Sequence, residues 1–443
     1  MLSFKVLLSF LQKYLLLAIY NNVLLQRFWQ GLAGLLTAVL ILKFFNSSTQ
    51  GWYYSFLSVS SYWIMFEAGL QVVLIQKFAK FFDGCSINNN SKIIGKNSTH
   101  CYSLLNKSFK AYGVILFFYW AIVWFVGFKF FHYLNFDNSY WTFIWSTIII
   151  FYGFNLILTP LYIFEEAVGN IQKVYKVKLL QGILSSVCIW LIIIFDGGLW
   201  SVIPPAVISF GVGFLWIVSQ KKLRTIFVDS FSNYTNVISW PKDIWKLQWQ
   251  HSLNFTFNFI LISLYVPLIL YFKGADMSGR AGLTLAIVTI ISLISQSWTI
   301  QKFPEMVTAA NKKNWSLLND IFTLSNKMCF SFYAIGVLLI ILLASLIINT
   351  NYSDRILGLA SLIGLLGFQL NILIINNLGI KLRAFGEEPF FMIYLVTIVM
   401  ILPASIIVLH LYNVQVMIYV NYIITSLVSL PLAYNVYRKF IYE

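Results

Sequence analysis

Signatures of catalysis are missing from this chain. Its 443 residues contain no Gly-x-Ser-x-Gly elbow, no Walker loop and no dinucleotide fingerprint, so nothing in it would bind ATP. The four histidines (His100, His132, His251, His410) and four cysteines (Cys85, Cys101, Cys188, Cys329) show no metal-ligand spacing. No metal, no other cofactor and no enzymatic activity is therefore expected. Cys85 and Cys101 share one basic connection, read below as cytoplasmic, which argues against a structural disulfide. None of the weakly charged connections exceeds about ten residues, which leaves no room there for a folded domain. The first twenty residues lack a cleavage site followed by a mature domain, so no signal peptide is read.

What is present is apolar sequence in bilayer-sized pieces. The hydrocarbon core needs about 20 apolar residues per helix. Twelve stretches meet that need, at about 22–45, 50–75, 110–131, 141–163, 176–195, 199–219, 250–272, 276–300, 328–349, 356–376, 389–409 and 415–435. The expected fold is an all-α polytopic membrane protein, its 12 transmembrane helices in two six-helix lobes around a central inter-lobe cavity.

Charge sets the orientation. Of the 30 basic residues, 24 fall before span one, in alternate connections, or after span twelve. The opposite side holds only Lys43, Lys129, Lys273, Arg280 and Arg355, and Arg27 lies inside a span. By the positive-inside rule the basic side is cytoplasmic, and both termini with it. The net charge of +15 is thus topological, placed beside anionic lipid, and no nucleic-acid partner is expected. Trp and Tyr near span ends, such as Trp52, Tyr53, Tyr140 and Trp141, suit interfacial belts. Lys5, Gln12 and Lys13 against Phe4, Leu7, Leu8, Leu11 and Leu15 read as an interfacial helix leading into span one.

The chain divides into an N-terminal lobe over 1–219, a cytoplasmic linker over 220–249 and a C-terminal lobe over 250–443. A faint echo links the halves. Ile75-Gln76-Lys77-Phe78 closes span two and Ile300-Gln301-Lys302-Phe303 closes span eight, with Gln71 and Gln296 preceding them at the same offset of 225 residues. Two six-helix halves of the same orientation are parallel repeats about the membrane normal, a transporter plan with the substrate path between lobes.

Charges inside spans are costly and mark function by default. Arg27 in span one and Glu67 in span two are each about 20 residues from the turn near Ser47, which puts them at similar depth. One reading is a structural ion pair. A second has both lining the cavity, Arg27 meeting an anionic substrate and Glu67 titrating, and a third has Arg27 snorkelling to the interface from a differently framed span. Arg280 is either an interfacial anchor or an anion contact. Glu165 and Glu166 read as solvated helix ends, and Lys129, Lys273 and Arg355 as interfacial anchors. The polar start of span seven, with His251, Asn254 and Asn258, is either cavity lining or a solvated end. Serines of span two (Ser55, Ser58, Ser60, Ser61) and span eight (Ser292, Ser295, Ser297) would let helices approach closely, or face sugars.

Three short runs carry a family resemblance: Ser48-Thr49-Gln50-Gly51-Trp52-Tyr53-Tyr54-Ser55-Phe56, Phe66-Glu67-Ala68-Gly69-Leu70, and Leu382-Arg383-Ala384-Phe385-Gly386-Glu387-Glu388-Pro389-Phe390. With the twelve-span topology, they resemble the Wzx-type polysaccharide flippases of the multidrug/oligosaccharidyl-lipid/polysaccharide (MOP) exporter superfamily. The resemblance implies movement of a polyprenyl-diphosphate-linked oligosaccharide, an O-antigen or capsule precursor, across a bacterial inner membrane. It implies Arg27 and Arg280 as diphosphate contacts, Glu67 as the coupling group, and Gln71, His251, Asn254, Asn258 and Gln296 as cavity lining. Membrane lipids, a polysaccharide polymerase and a chain-length regulator are the implied partners. The rival readings are a cation-coupled multidrug exporter of the same superfamily, a membrane polysaccharide polymerase and a generic permease.

Overall fold

Each apolar stretch becomes a helix, as backbone groups in hydrocarbon require. The computed structural model describes residues 22–134, 140–232, 237–347, 353–385 and 390–442, with backbone alone for 24, 246, 247, 250, 251, 258, 304, 311, 347, 441 and 442. The interfacial helix expected before span one and residues 386–389 of the third resemblance run lie outside the described residues.

Span one is α1 (Asn22–Phe44). Span two is broken into α2 (Ser47–Ser60), α3 (Trp63–Glu67) and α4 (Leu70–Phe82). A small antiparallel hairpin follows, β1 (Cys85–Ile87) with β2 (Ile93–Gly95). Span three is α5 (Ser98–Phe118), a π turn and α6 (Trp124–Tyr133); spans four to six are α7 (Trp141–Ala167), α8 (Ile171–Ile194) and α9 (Pro204–Ser219). An amphipathic helix, α10 (Lys221–Phe231), precedes span seven, which comprises α11 (Lys246–Ser263) and the start of α12 (Tyr265–Asn311). Spans nine to eleven are α13 (Trp315–Ile347), α14 (Leu359–Arg383) and α15 (Phe391–Leu411). Span twelve runs through α16 (Val414–Ile424), a π turn and α17 (Leu430–Tyr442).

Among the described residues ten helices are long and apolar enough to cross a membrane, eleven with the broken span two. One of these, Ser252–Ala310, has 59 residues. At 1.5 Å per residue it would extend roughly 90 Å, about three hydrocarbon cores. Gly274, at φ 82° and ψ 177°, interrupts it and turns it into spans seven and eight. The total is twelve.

The long basic connections are mostly helix and hairpin. α4 runs on to Phe82, α5 begins at Ser98, and only Lys312–Asn314 separates α12 from α13. A helix already satisfies its own backbone, so it has no reason to stop at the hydrocarbon edge. These segments are also packed. Phe109 lies edge-on to Phe227 at 5.1 Å, Asn106 donates to the Ser230 carbonyl at 2.8 Å, and the Ile93 amide donates to Tyr102 Oη at 2.9 Å.

Glu165 and Glu166 correct another expectation, because they are not solvated. Glu165 is 3% exposed and pairs with Lys222 at 2.6 Å. Glu166 pairs with Lys178 at 2.7 Å. A carboxylate at the end of an apolar helix that is packed on its neighbours must bring its cation with it.

By packing, the chain forms two units. The first takes residues up to Ala33, Gly69–Phe195 and Trp200–Gln248; the second takes Gly34–Ala68, Asp196–Leu199 and the chain from Trp249 on. This division differs from the lobes drawn at 219 and 250, because residues 34–68 group with the C-terminal half. In the second unit Ile269, Phe368, Ile372, Phe390 and Ile418 are among the apolar core residues.

Breaking the Glu165 pair leaves a buried charge unpaired. Lys222→Met is expected to destabilise the folded protein by about 2 kcal/mol. Adding Glu165→Gln should restore part of that loss, and thermal melts of the two single variants and the double variant in detergent check it.

Candidate functional site

The first half of span two is sewn to spans seven and eight inside the second unit. Small residues make the approach possible: a Cβ at Gly51 would run into the Ala275 carbonyl, and one at Gly279 would sit 2.7 Å from Ser47 O and 2.8 Å from the Gly51 nitrogen. At Gly282 the added carbon would stand 2.6 Å from Tyr54 Cβ. Backbones this close allow short polar side chains to cross. Fully buried Gln50 donates from Nε2 to Gly279 O at 2.7 Å, and Ser55 and Ser278 share a hydroxyl hydrogen bond of 3.3 Å. Ser55 and Ser58 thus face spans seven and eight, whereas Ser60 and Ser61 bond back to their own helix at Leu57 O and Ser58 O.

Two breaks lie along this seam. Pro267 has no N–H to give the Ser263 carbonyl four residues earlier, and Ser58 Oγ donates to that carbonyl instead. In span two, Ala68 (φ 48°) and Gly69 (φ 68°) are both left-handed and end α3 at Glu67. Ser252 Oγ donates to the Ala68 carbonyl at 2.9 Å. The start of span seven is thereby held at the break that follows Glu67. Glu67 is 7% exposed and Asn254, two residues beyond Ser252, is 3% exposed. A buried acid beside an interrupted span is the arrangement in which membrane transporters place polar ligands.

The remaining candidates are distributed. Arg27 lies in the first unit, exposed, with Nη1 3.4 Å from Gln30 Oε1. Gln71 is half-buried near the start of α4, also in the first unit, and Gln296 is half-buried in the last third of α12 in the second. Arg280 follows Gly274 near the start of span eight, with its Nε buried and unpartnered among the described residues. The side chains of His251 and Asn258 lie outside the described residues.

Several polar residues of consequence escaped the sequence reading. Arg355, expected to anchor at the interface, donates from Nη2 and Nε to Gln50 Oε1 at 2.8 and 3.2 Å, while Gln50 Nε2 also reaches Arg355 O at 3.1 Å. A neutral network joins spans seven and ten to twelve. Asn421 Nδ2 donates to Tyr265 Oη at 2.8 Å and to Ser405 Oγ at 3.0 Å, and Asn371 Nδ2 donates to Thr425 Oγ1 at 3.0 Å and Ser426 Oγ at 2.7 Å. Lys381, 5% exposed, donates to Tyr437 Oη at 2.7 Å and lies 4.9 Å from the Phe322 ring centre. The available signal was the density of Asn, Ser and Thr in spans ten and twelve, where polar side chains are costly without partners.

No protein-family model matches the sequence, and no curated protein matches it. Solved structures do. The MATE multidrug transporter DinF-BH, determined with a bound ligand, aligns with a TM-score of 0.64 over 94% of this chain and 92% of its own, at 12% identity. An inward-facing multidrug resistance MATE family transporter of the MOP superfamily aligns at 0.56, covering 93% and 98% at 13% identity. An outward-facing one aligns at 0.57, covering 96% and 95% at 12% identity. The chain shares their fold. It is a multi-pass membrane protein of MATE-like architecture.

The glycine seam carries a direct test. Gly51→Ala must push the backbone at Ala275 away, whereas Gly211→Ala meets nothing within 4 Å. The first is expected to cost about 1–3 kcal/mol of stability and the second almost none. Comparative thermal melts of the purified variants in one detergent would show it.

Proposed function

We propose that this chain is an alternating-access transporter that moves a polyprenyl-diphosphate-linked oligosaccharide from the cytoplasmic to the periplasmic leaflet of a bacterial inner membrane. The MATE-like fold supports the transport part, since related structures are described in inward-facing and outward-facing forms. One observation carries the cargo. By the order of the spans, Arg27 and Arg280 fall towards opposite ends of the membrane-spanning region, each without a carboxylate partner among the described residues of its own unit. A diphosphate is the group that such cations would assist, because it is strongly anionic and cannot cross lipid unaided. Sugars would meet the polar groups along span seven, with Gln71 and Gln296 as further contacts. In this reading Glu67 is the group that takes up a proton or cation during the cycle.

The neighbours favour a second reading. They are described as multidrug transporters, and that supports export of small organic molecules more directly than it supports a lipid-linked cargo. Such a cargo, if cationic, would need acids inside the spans, and Glu67 is the one acid the sequence places well within a span.

A deletion strain separates the two. Flipping predicts that lipid-linked repeat units accumulate in the membrane extract while the surface glycan disappears. Drug export predicts normal glycan with increased drug sensitivity, and that outcome would overturn the first reading. Glu67→Gln is expected to abolish the pH dependence of transport in reconstituted vesicles; transport that keeps the wild-type pH profile would remove Glu67 from the coupling role.

A further inference from the structure

We propose that the second unit carries an oxyanion-binding pocket at the end of its spans opposite the basic connections, formed by Arg280 and the N-termini of α14 and α16. Arg280 is also a residue that the transport reading gives to the diphosphate, so the site deepens that reading, and its binding test is read separately from the deletion-strain test.

The starting observation is Arg280 itself. Its Nε is buried and meets no hydrogen-bond acceptor among the described residues, although a guanidinium nitrogen out of water costs free energy unless it is paired. The side chain lines a half-open cavity of about 220 Å³. Water occupies about 30 Å³ per molecule, so the space suits a phosphate or carboxylate group with its first attached atoms.

The rest of the lining has the same electrical sign. Gly358 and Ser361 bring the first turn of α14, and Asn413 and Gln415 bring the first turn of α16. Both helices therefore direct their positive ends at the space into which Arg280 projects. Gly358 is the N-cap of α14 and has no side chain to cap the amides that follow, and these first-turn amides have no acceptor within their own helix. Asn413 does cap its own helix, accepting the Val416 amide at 3.0 Å on Oδ1, which leaves its Nδ2 as a donor. No aspartate or glutamate lines the cavity. Three separate segments, after Gly274, before α14 and before α16, thus bring cationic or donor groups to a cavity whose lining holds no carboxylate; Asp276 and Asp354 lie on two of these segments outside that lining.

The shared chemistry is an oxyanion, which has two sources: the headgroup phosphate of a neighbouring lipid, or an acidic group on a soluble or transported molecule. Calorimetric titration of inorganic pyrophosphate into the purified full chain, in phospholipid-free detergent, tests the site. Saturable binding is expected, weakened at least about tenfold by Arg280→Gln and partly retained in Arg280→Lys. Gln415→Glu places a negative charge at the exposed rim without touching Arg280, and should weaken binding in the same direction. Melting temperatures of the variants verify that they are folded.

Repeating the titration in phosphatidylglycerol nanodiscs then identifies the source. Suppression relative to phosphatidylcholine nanodiscs means that a lipid headgroup competes for the pocket, and unchanged binding means a ligand from outside the bilayer. No saturable binding, or binding that neither Arg280→Gln nor Gln415→Glu alters, overturns the proposal.

Discussion

Backbone carbonyls that a helix break sets free inside hydrocarbon must find a donor, and the second unit is built around meeting that demand. Pro267 strips one carbonyl of its partner and the Ala68–Gly69 turn exposes another. Serines on facing segments answer both, Ser58 to Ser263 O and Ser252 to Ala68 O. Each break is therefore tolerable only while the two segments stay together. Packing and hydrogen bonding do not add as separate terms here. The glycines at 51, 279 and 282 let the backbones come close, and that closeness is what brings a side chain as short as serine within reach.

The same seam explains why residues 34–68 pack with the C-terminal half. Gln50 alone ties the turn after span one to span eight through Gly279 O, and to the connection before span ten through Arg355. Arg355 with Gln50 is a charged donor on a neutral acceptor, so the contact holds the segments together without placing a carboxylate in the apolar region. The breaks after Glu67 and around Pro267 lie further along the seam. Interrupted helices whose carbonyls are already held by hydroxyls let the chain change direction without unsatisfied backbone at the break.

The fold was legible in the sequence to the extent that hydropathy and lysine placement are local signals. A run of about 20 apolar residues reports a span wherever it folds, and alternating basic connections fix the frame. The long-range partners were not legible. Gln50 and Arg355 are separated by 305 residues, and Glu165 and Lys222 by 57, so no spacing rule joins them. Arg355 looked like an anchor because it stands at the edge of span ten; its guanidinium instead donates to the side-chain amide of Gln50 on α2. Glu67 was legible for a different reason: a charge within an apolar run is conspicuous at any level of reading. The left-handed turn after it was not legible, because Ala68 as well as Gly69 takes positive φ and alanine rarely does.

The polar core of the second unit bears on how such a machine could be driven. Tyr265, Asn371, Ser405, Asn421, Thr425 and Ser426 are buried or half-buried in one hydrogen-bonded network, yet none of them carries charge at neutral pH. A network of neutral donors and acceptors specifies how spans seven, ten, eleven and twelve pack, since each member would be costly if misplaced. It does not bind and release protons as pH changes across the physiological range. Glu165 and Glu166 are held by lysines at a helix end. In the transport cycle proposed for this chain, Glu67 is the group given the proton- or cation-sensitive step, and it is buried at a break whose Ala68 carbonyl is held by Ser252.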